Sequence, residues 1–356
     1  MSEGSSAAVR RALAERLRTA RDTLASRVNH EFFLRHPDWL ARYGDRGVRR
    51  GFEDACFHID FLLGAIEIDS LAVFEDYARW ASDVLSARGI EPHYLAESLH
   101  QVGNACQTAL TVAEHEYVQS FIRAGAAIVE KPARAEGALK EGTGERALVC
   151  RLFTRAILQG QRKAAVGLVM EEIEKGAPLL DIYMDVLEAA QFEVGRLWEA
   201  NAISVAEEHM ATAITQYVIA QLYPRIRRED AIKGRMIITG VEGEHHQIGP
   251  NIVADVLEAS GWDVRFLGTN VPHRSVLRAI EKHNANVVGI SVTMLFNVPQ
   301  SIHLIDSICR AFGREQVRVV IGGSAFRSRP DIWKETGAQG FAKDARQALT
   351  MMDALA

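Results

Sequence analysis

Apolar residues recur at three- and four-residue spacing through the first 130 residues, as they do on one face of an amphipathic helix. Phe57, Phe61 and Ile66 are one such series. Helix-breaking residues interrupt the pattern at His36-Pro37, Gly44, Gly89 and Pro92. The pattern predicts about five helices and an all-helical domain over residues 1–130.

The next segment is small, charged and glycine-bearing, which predicts a linker over residues 131–145. Residues 146–228 again carry helical periodicity and are the right size for a four-helix bundle. The predicted helix ends are at Gly160, Gly176-Ala177-Pro178, Asn201 and Pro224.

From Arg235 onward, short β-branched runs alternate with amphipathic segments. Strands separated by helices favour right-handed βαβ units and a parallel sheet. The fold class is therefore α/β plus all-α, with a flavodoxin-like, doubly wound (Rossmann-type) sheet domain over residues 229–356. The predicted strands are residues 236–241, 263–267, 287–292, 317–321 and 340–343.

Composition adds several expectations. The chain has 356 residues, 48% of them hydrophobic, which is enough to bury more than one core. A formal charge of −5 gives no electrostatic reason to expect DNA binding, and neither a transmembrane run nor a secretory leader is present. The cysteines lack metal or disulfide spacing, so we expect reduced thiols and a cytoplasmic location: Cys56, Cys106, Cys150 and Cys309.

Three polar or small-residue features follow predicted strands. A loop carrying Glu244, His246 and Gly249 follows the first strand, Ser291-Val292-Thr293 ends the third, and Gly322-Gly323 follows the fourth. Ligands of doubly wound sheets bind at this edge, and a carboxylate often orients a metal-binding imidazole. We therefore predict a site here, with a slot between the strands, although Gly322-Gly323 alone is typical of an ordinary tight turn.

These features together resemble the cobalamin-binding domain pattern Asp-x-His-x-x-Gly, Ser-x-Leu, Gly-Gly. The separations match, with 41 residues between Gly249 and Ser291 and 28 between Thr293 and Gly322. Glu244 replaces the aspartate and Thr293 the leucine. The resemblance implies that His246 is the lower cobalt ligand and that the corrinoid tail enters the slot. His245 is the less favoured ligand.

The bundle carries a second pattern. Ser204 and Glu207 form a capping box, which predicts that Trp198 closes one helix and that Glu208-His209 lie in the first turns of the next. Trp-x9-Glu-His resembles the cap of CarH-type, cobalamin-dependent light-sensing regulators. The resemblance implies that Trp198, Val205, Glu208 and His209 surround an upper adenosyl group. Glu199 stands where that family has a histidine. Without the resemblance, Trp198 is typical of core packing and Glu208-His209 of a solvated helix start.

The layout of a large helical domain before the cobalamin half is similar to the photocobilins, which pair B12 with a bilin. The resemblance implies a biliverdin pocket with aromatic walls and arginines for the propionates. The alternative is an ordinary helical core. The candidates are Phe52, Phe57, Phe61, His58, Tyr77, Trp80, Arg49 and Arg50, and no local motif supports bilin attachment at Cys56 or Cys106.

The resulting hypothesis is a non-enzymatic light sensor that binds adenosylcobalamin and biliverdin. Light would cleave the cobalt–carbon bond and change the assembly of a homo-oligomer, with a dimer expected and an unidentified downstream protein as reader. The leading alternative is a corrinoid carrier that shuttles methyl groups between methyltransferases. A cobalamin-dependent isomerase and a helical sensor for another ligand are further alternatives, the former disfavoured because the chain has no room for a barrel.

Overall fold

The computed structural model describes residues 7–130, 145–226, 233–327 and 329–354. The chain divides into two compact units, Met1–Ala135 and Glu136–Ala356. Residues 131–144 of the predicted linker lie outside the described residues, and a helix begins at Glu145. Of the helices in the described ranges, none combines the length and the apolar character needed to cross a membrane.

The N-terminal unit is helical, as predicted. Pro37 and Pro92 each stand in the first turn of a helix, where a missing N–H costs nothing. Gly44 has φ +56° and kinks α3, while the left-handed Asp69 ends it at a break that the sequence pattern did not predict. The helices are α1 Ala7–Thr19, α2 Arg21–Arg35, α3 Pro37–Ile68, α4 Leu71–Ser86, α5 Pro92–Cys106 and α6 Val112–Val129.

Four helical segments form the bundle that begins the second unit. A six-residue π-helical stretch, Tyr183–Glu188, interrupts the third segment, and single π turns of this kind occur often at functional sites. The predicted helix ends at Gly160, Gly176 and Asn201 are each marked by a positive φ. The segments are α7 Glu145–Leu158, α8 Arg162–Glu174, α9 Leu179–Ile182 running through Tyr183–Glu188 into α10 Ala189–Glu199, and α11 Val205–Leu222.

A five-stranded parallel sheet completes the unit in the order β2-β1-β3-β4-β5, which is the flavodoxin-like order. The predicted strands are confirmed to within two residues. The elements are β1 Arg235–Gly240, α12 Ile248–Ala259, β2 Asp263–Phe266, α13 His273–His283, β3 Val287–Ser291, α14 Val298–Phe312, β4 Arg318–Gly322, β5 Gly340–Ala342 and α15 Ala345–Asp353.

The bundle and the sheet domain share one hydrophobic core. Ile252 and Val256 on α12 and Ala345 on α15 are buried in the same cluster as the bundle residues Phe153 and Val218. The bundle is therefore packed against the α12–α15 face of the sheet. Burial of each Ile, Val or Phe side chain in this cluster contributes about 1.5–3 kcal/mol.

Strand register brings the polar loops together. Gly240 pairs with Ser291, and Ser291 pairs with Gly322, so the ends of β1, β3 and β4 stand side by side. The strand order reverses between β1 and β3, which makes this edge the topological switch point where ligands of such sheets bind.

Candidate functional site

The loop between β1 and α12 holds His246 through a carboxylate. Glu244 Oε1 lies 2.6 Å from His246 Nδ1 and also accepts the backbone N–H groups of His245 at 3.0 Å and His246 at 3.1 Å. A carboxylate can only accept, so Nδ1 carries the proton and Nε2 is the nitrogen available to a metal. The imidazole is thereby fixed in one tautomer and one orientation.

The second oxygen of Glu244 is tied to the loop that follows β3. Oε2 accepts the backbone N–H of Thr293 at 2.8 Å, that of Met294 at 3.2 Å and the Nδ2–H of Asn297 at 3.2 Å. The Glu244 side chain is fully buried. Its burial opposes ionisation, but the bonds from His246 and from the Thr293 amide outweigh burial and lower the pKa of Glu244 to about 2.

The two neighbouring histidines differ in their support. The ring of His246 is bonded to Glu244, and its side chain is 57% exposed. The bond from His245 to Glu244 comes from its backbone N–H. The geometry therefore favours His246 over His245 as a metal ligand.

Neighbouring backbone requires glycine at two positions of the predicted slot. A Cβ added to Gly322 would lie 2.5 Å from the carbonyl oxygen of Ala342. Gly323 has φ +111°, and a Cβ there would lie 2.2 Å from the carbonyl oxygen of Val292. Both glycines are thus required by close approach of the protein's own strands, and the half-buried Ser291 is the slot residue that remains accessible at the end of β3.

Gly249 does not serve to turn the backbone of the β1–α12 loop. Gly249 lies inside α12, its φ is not positive, and a Cβ added there would meet no atom within 4 Å. Nothing in the chain itself requires a glycine at this position. Open space one helical turn after an exposed, oriented imidazole is what a large planar ligand seated on His246 needs.

These residues fit a corrinoid, which brings its own metal. Among the described residues, no group of three or more His, Cys, Asp and Glu side chains could hold a metal ion. A corrinoid already supplies four nitrogens to its cobalt, so one protein imidazole is sufficient. His246, Gly249 and Ser291 provide that imidazole, clearance beside it and a polar group at the slot.

The cap residues are placed as the capping box predicts. Ser204 Oγ accepts the N–H of Glu207, and Glu207 accepts the N–H of Ser204 at 2.7 Å, so α11 begins after Ser204. Trp198 is half-buried in the last turn of α10. Val205 is 51% exposed, as is most of the His209 ring, so neither is buried against the sheet domain.

Glu208 begins a chain of polar contacts between α11 and α10. It bonds the His209 ring on one side and accepts the Thr212 hydroxyl at 2.9 Å on the other. Thr212 donates to Gln191 at 3.3 Å, and Gln191 donates to the buried Thr215 at 2.7 Å. Glu208 is therefore joined to the bundle interior through Thr212 and Gln191, while the His209 ring that it bonds stays largely exposed.

The structure does not bring the predicted bilin residues into one pocket. His58 and Tyr77 are buried and bonded to each other at 2.5 Å, burial lowers the pKa of His58 to about 4, and Phe61 stacks on Tyr77 at 3.8 Å. Trp80 and Phe52 are half-buried, whereas Phe57, Arg49 and Arg50 are exposed, and Arg50 pairs with Glu53. Aromatic packing fills this core, so biliverdin binding is not supported.

Two asparagines were missed by sequence reasoning. Asn297 is buried and bonds both Glu244 and the carbonyl of Gly243. Asn270, with φ +56°, accepts the N–H of Gly243 at 2.9 Å. Their roles depend on loops that are distant in sequence, and the only local signal was the position of Asn297 just before a helix.

Comparison with known proteins agrees with this geometry. Models of the B12 binding domain match residues 149–223 and 234–350. A corrinoid protein of Desulfitobacterium hafniense (strain Y51) is 24% identical over 55% of this chain and 92% of its own length. Dimethylamine corrinoid protein 1 of Methanosarcina acetivorans is 30% identical over 51% of this chain and 86% of its own length.

A solved structure, that of the Methanosarcina barkeri monomethylamine corrinoid protein, superimposes with a TM-score of 0.52 at 24% identity. The superposition covers 58% of this chain and 98% of that protein, and it supports the fold of a helical bundle followed by a parallel sheet.

These relatives contradict the light-sensor hypothesis, which is wrong. They are corrinoid proteins, including those of methylamine systems, and they agree with the alternative of a corrinoid carrier. The matched regions also leave the N-terminal unit outside, so the similarity to photocobilins has no support there. Because the chain is 30% identical to a corrinoid protein of which it covers 86%, and because both halves of its second unit match the B12 binding domain, it belongs to the B12-binding corrinoid protein family.

Proposed function

We propose that this protein is a corrinoid methyl carrier that serves methyltransferases and performs no catalysis of its own. The observation that carries the proposal is the alignment of 187 residues of this chain with Dimethylamine corrinoid protein 1, together with the intact Glu244–His246 pair. When bound, the corrinoid supplies a cobalt centre that takes up a methyl group from one substrate and gives it to another.

The residues of the chain have distinct parts in this function. His246 would hold the cobalt of the corrinoid through Nε2, and Glu244 would keep the ring in the required tautomer. Glu244 also accepts hydrogen bonds from two backbone N–H groups and from the Asn297 side chain, all in the loop after β3. The imidazole is therefore anchored to the ends of two strands of the sheet. Such anchoring would keep the imidazole in one position when a corrinoid is bound.

The exposed start of α11 fits a carrier that presents its methyl group to a partner protein. Val205 and His209 are exposed at the start of α11, next to the α10–α11 turn that follows Trp198. We propose that Trp198 shields the methyl group from water and that the exposed start of α11 meets a methyltransferase. A methyl upper ligand replaces the adenosyl group in this proposal, and the cytoplasmic location and the homo-oligomer remain predictions.

Methyl uptake by the loaded protein tests the proposal. The full-length chain is loaded with hydroxocobalamin in the dark, reduced with titanium(III) citrate and treated with isotope-labelled iodomethane. We expect one labelled methyl group per bound corrinoid and its release to a thiol acceptor when a matching methyltransferase is added. An H246A variant measures how far the lower ligand contributes.

Two results would overturn the proposal. One is a loaded, reduced wild-type protein that takes up no methyl group although free cobalamin does so in the same mixture. The other is a protein that excludes methyl but, loaded with adenosylcobalamin, changes its oligomeric state on illumination.

A further inference from the structure

One short stretch of the bundle is joined to the sheet domain by both a hydrogen bond and ion pairs, in addition to the hydrophobic core that the two share. Arg346 on α15 lies 2.8 Å from Asp181 and 3.1 Å from Asp185. Tyr183, fully buried, donates to Asp255 of α12 at 2.5 Å. The stretch thus combines a buried hydrogen bond with a surface ion pair, and it includes the π-helical residues Tyr183–Glu188. We name Leu179–Glu188 the docking segment.

A separate contact stands beyond the docking segment, at the ligand-binding edge. The guanidinium of Arg327 lies over the ring of Phe192 on α10, 3.9 Å from its centroid. Phe192 is six residues before Trp198, about 9 Å along the helix. Arg327 follows the Gly322-Gly323 pair at the end of β4, beside Ser291. The contact therefore joins the helix that carries Trp198 to the loop that borders the slot.

The loop that presents Arg327 is firmly held. The N–H of Ala325 donates to the carbonyl of Val292 at 3.2 Å, and Phe326 is buried with its ring 5.8 Å from that of Phe341. Arg327 itself remains exposed. Because the loop is fixed and the Arg327 side chain is exposed, the contact with Phe192 can open without unfolding the loop or α10.

Charge around Phe192 supports the same contact. Glu188 is half-buried one turn before Phe192, and burial raises its pKa to about 7, with the charge of Arg327 acting in the opposite direction and that of Asp344 adding to the rise. The positive charge of Arg327 is thus felt at Glu188 as well as at the ring of Phe192. Loss of Arg327 removes both attractions at once.

We propose that Arg327 and Phe192 form the gate of the upper side of the corrinoid site, while the docking segment is the pivot that stays attached. The proposal rests on the proposed carrier function, because a carrier must close over its methyl group and open to a partner. The pivot combines the shared hydrophobic core, a buried hydrogen bond and surface ion pairs, whereas the gate is an exposed cation–π contact with an added attraction between Arg327 and Glu188. The gate is therefore the contact that opens first.

Hydrogen–deuterium exchange on the full-length, corrinoid-free protein measures the gate directly. R327Q and F192L each remove one side of the contact while preserving most of the side-chain volume. We expect exchange in residues 189–199 to rise about five-fold in F192L and at least as much in R327Q, which also loses the attraction to Glu188, and the double variant should match R327Q. R327K, which keeps the charge, should fall between R327Q and wild type. R310Q, an exposed arginine of α14, is the control and should leave exchange unchanged.

Methyl donors of two sizes test what the gate does. With reduced, corrinoid-loaded protein, methyl transfer from bulky methyl p-toluenesulfonate should be about five-fold faster in R327Q than in wild type, with p-toluenesulfonate as leaving group. Iodomethane, which is small, should react at nearly the same rate in both. The ratio of the two rates reports access and is independent of the fraction of protein loaded.

The outcomes separate this proposal from the carrier function. Unchanged exchange in R327Q and F192L overturns the gate, and so does raised exchange with an unchanged ratio of donor rates. If wild-type protein accepts a methyl group from neither donor, the carrier function fails, and the exchange data still decide whether Arg327 and Phe192 hold the cap.

Discussion

Glu244 and His246 are joined twice, by the ring Nδ1–H at 2.6 Å and by the backbone N–H at 3.1 Å, to the same carboxylate oxygen. These two hydrogen bonds to one oxygen atom fix both the backbone and the side chain of His246. Nε2 is then directed by the fold rather than by the ligand. The pre-set imidazole is the feature from which the first two predictions follow.

Replacement of His246 by alanine should remove the lower nitrogen ligand of a bound corrinoid. In the cobalt(II) state, the electron paramagnetic resonance signal of the wild-type protein should be split by one imidazole nitrogen, and this splitting should be absent in H246A. H245A is the matched control, because the His245 ring does not bond Glu244 while its backbone N–H does. Retention of the splitting in H246A with its loss in H245A would assign the ligand to His245.

Replacement of Glu244 by glutamine should weaken corrinoid binding about 10- to 100-fold, as for other groups that orient a metal ligand. The amide nitrogen would face donors from His246 or from Thr293 and Asn297, which only an acceptor can satisfy. Affinity is measured by spectral titration with hydroxocobalamin, with circular dichroism to check folding. E242Q, an exposed neighbour, is the control. Equal affinity of E244Q and E242Q would contradict the prediction.

The glycines of the site should separate folding from binding. G323A should lower the free energy of unfolding by about 3 kcal/mol, because φ is +111° and the Val292 carbonyl lies 2.2 Å from the added methyl. G249A should change it by less than about 1 kcal/mol, since the added methyl meets nothing.

Hydroxocobalamin affinity should show the reverse at Gly249. If the corrinoid passes close to α12, G249A weakens binding without destabilising the protein. Calorimetry and spectral titration of the two variants give both quantities. A G249A protein that binds hydroxocobalamin as wild type does would place the corrinoid elsewhere.

The elements of the sheet could be predicted because each strand is a short β-branched run between turn residues, and β1 to β4 were located to within two residues. The hydrogen-bonded pair Glu244–His246 was also predictable, since the two residues are local in sequence. The partners of Glu244 beyond His246 were not, because Thr293, Met294 and Asn297 approach it only through the pairing of β1 with β3.

Two features could not be interpreted from the sequence alone, for different physical reasons. Gly322 and Gly323 were predicted to border a ligand slot, with an ordinary tight turn as the alternative, and the contacts that require glycine there come from backbone distant in sequence. The bilin residues share helical spacing, but spacing does not distinguish a buried ring such as Tyr77 from an exposed one such as Phe57. Only packing decides that difference.

Asp255 should make the stability of the second unit depend on pH. The residue is 4% exposed, its burial raises its pKa to about 6 from an ordinary value near 3.8, and the hydrogen bond from Tyr183 only partly opposes the rise. Glu258 follows one turn later on α12, where it accepts the hydroxyl of Tyr223 at 3.0 Å. The folded state therefore holds its proton on Asp255 at a pH where the unfolded chain has released it.

The direction of the effect follows from this difference in pKa. Because the folded form binds the proton more tightly, its stabilising contribution is complete below about pH 4 and is lost as pH rises through about 6. A rise of about two pKa units corresponds to about 3 kcal/mol.

D255N can still accept the Tyr183 hydroxyl but carries no charge at any pH. The difference in free energy of unfolding between D255N and wild type should therefore shift in favour of D255N by up to about 3 kcal/mol between pH 4 and pH 7. Calorimetry at intervals across this range measures it, with D353N, at an exposed aspartate near the end of α15, as the control. Parallel pH profiles for wild type and D255N would show that Asp255 ionises in the folded protein as it does in the unfolded chain.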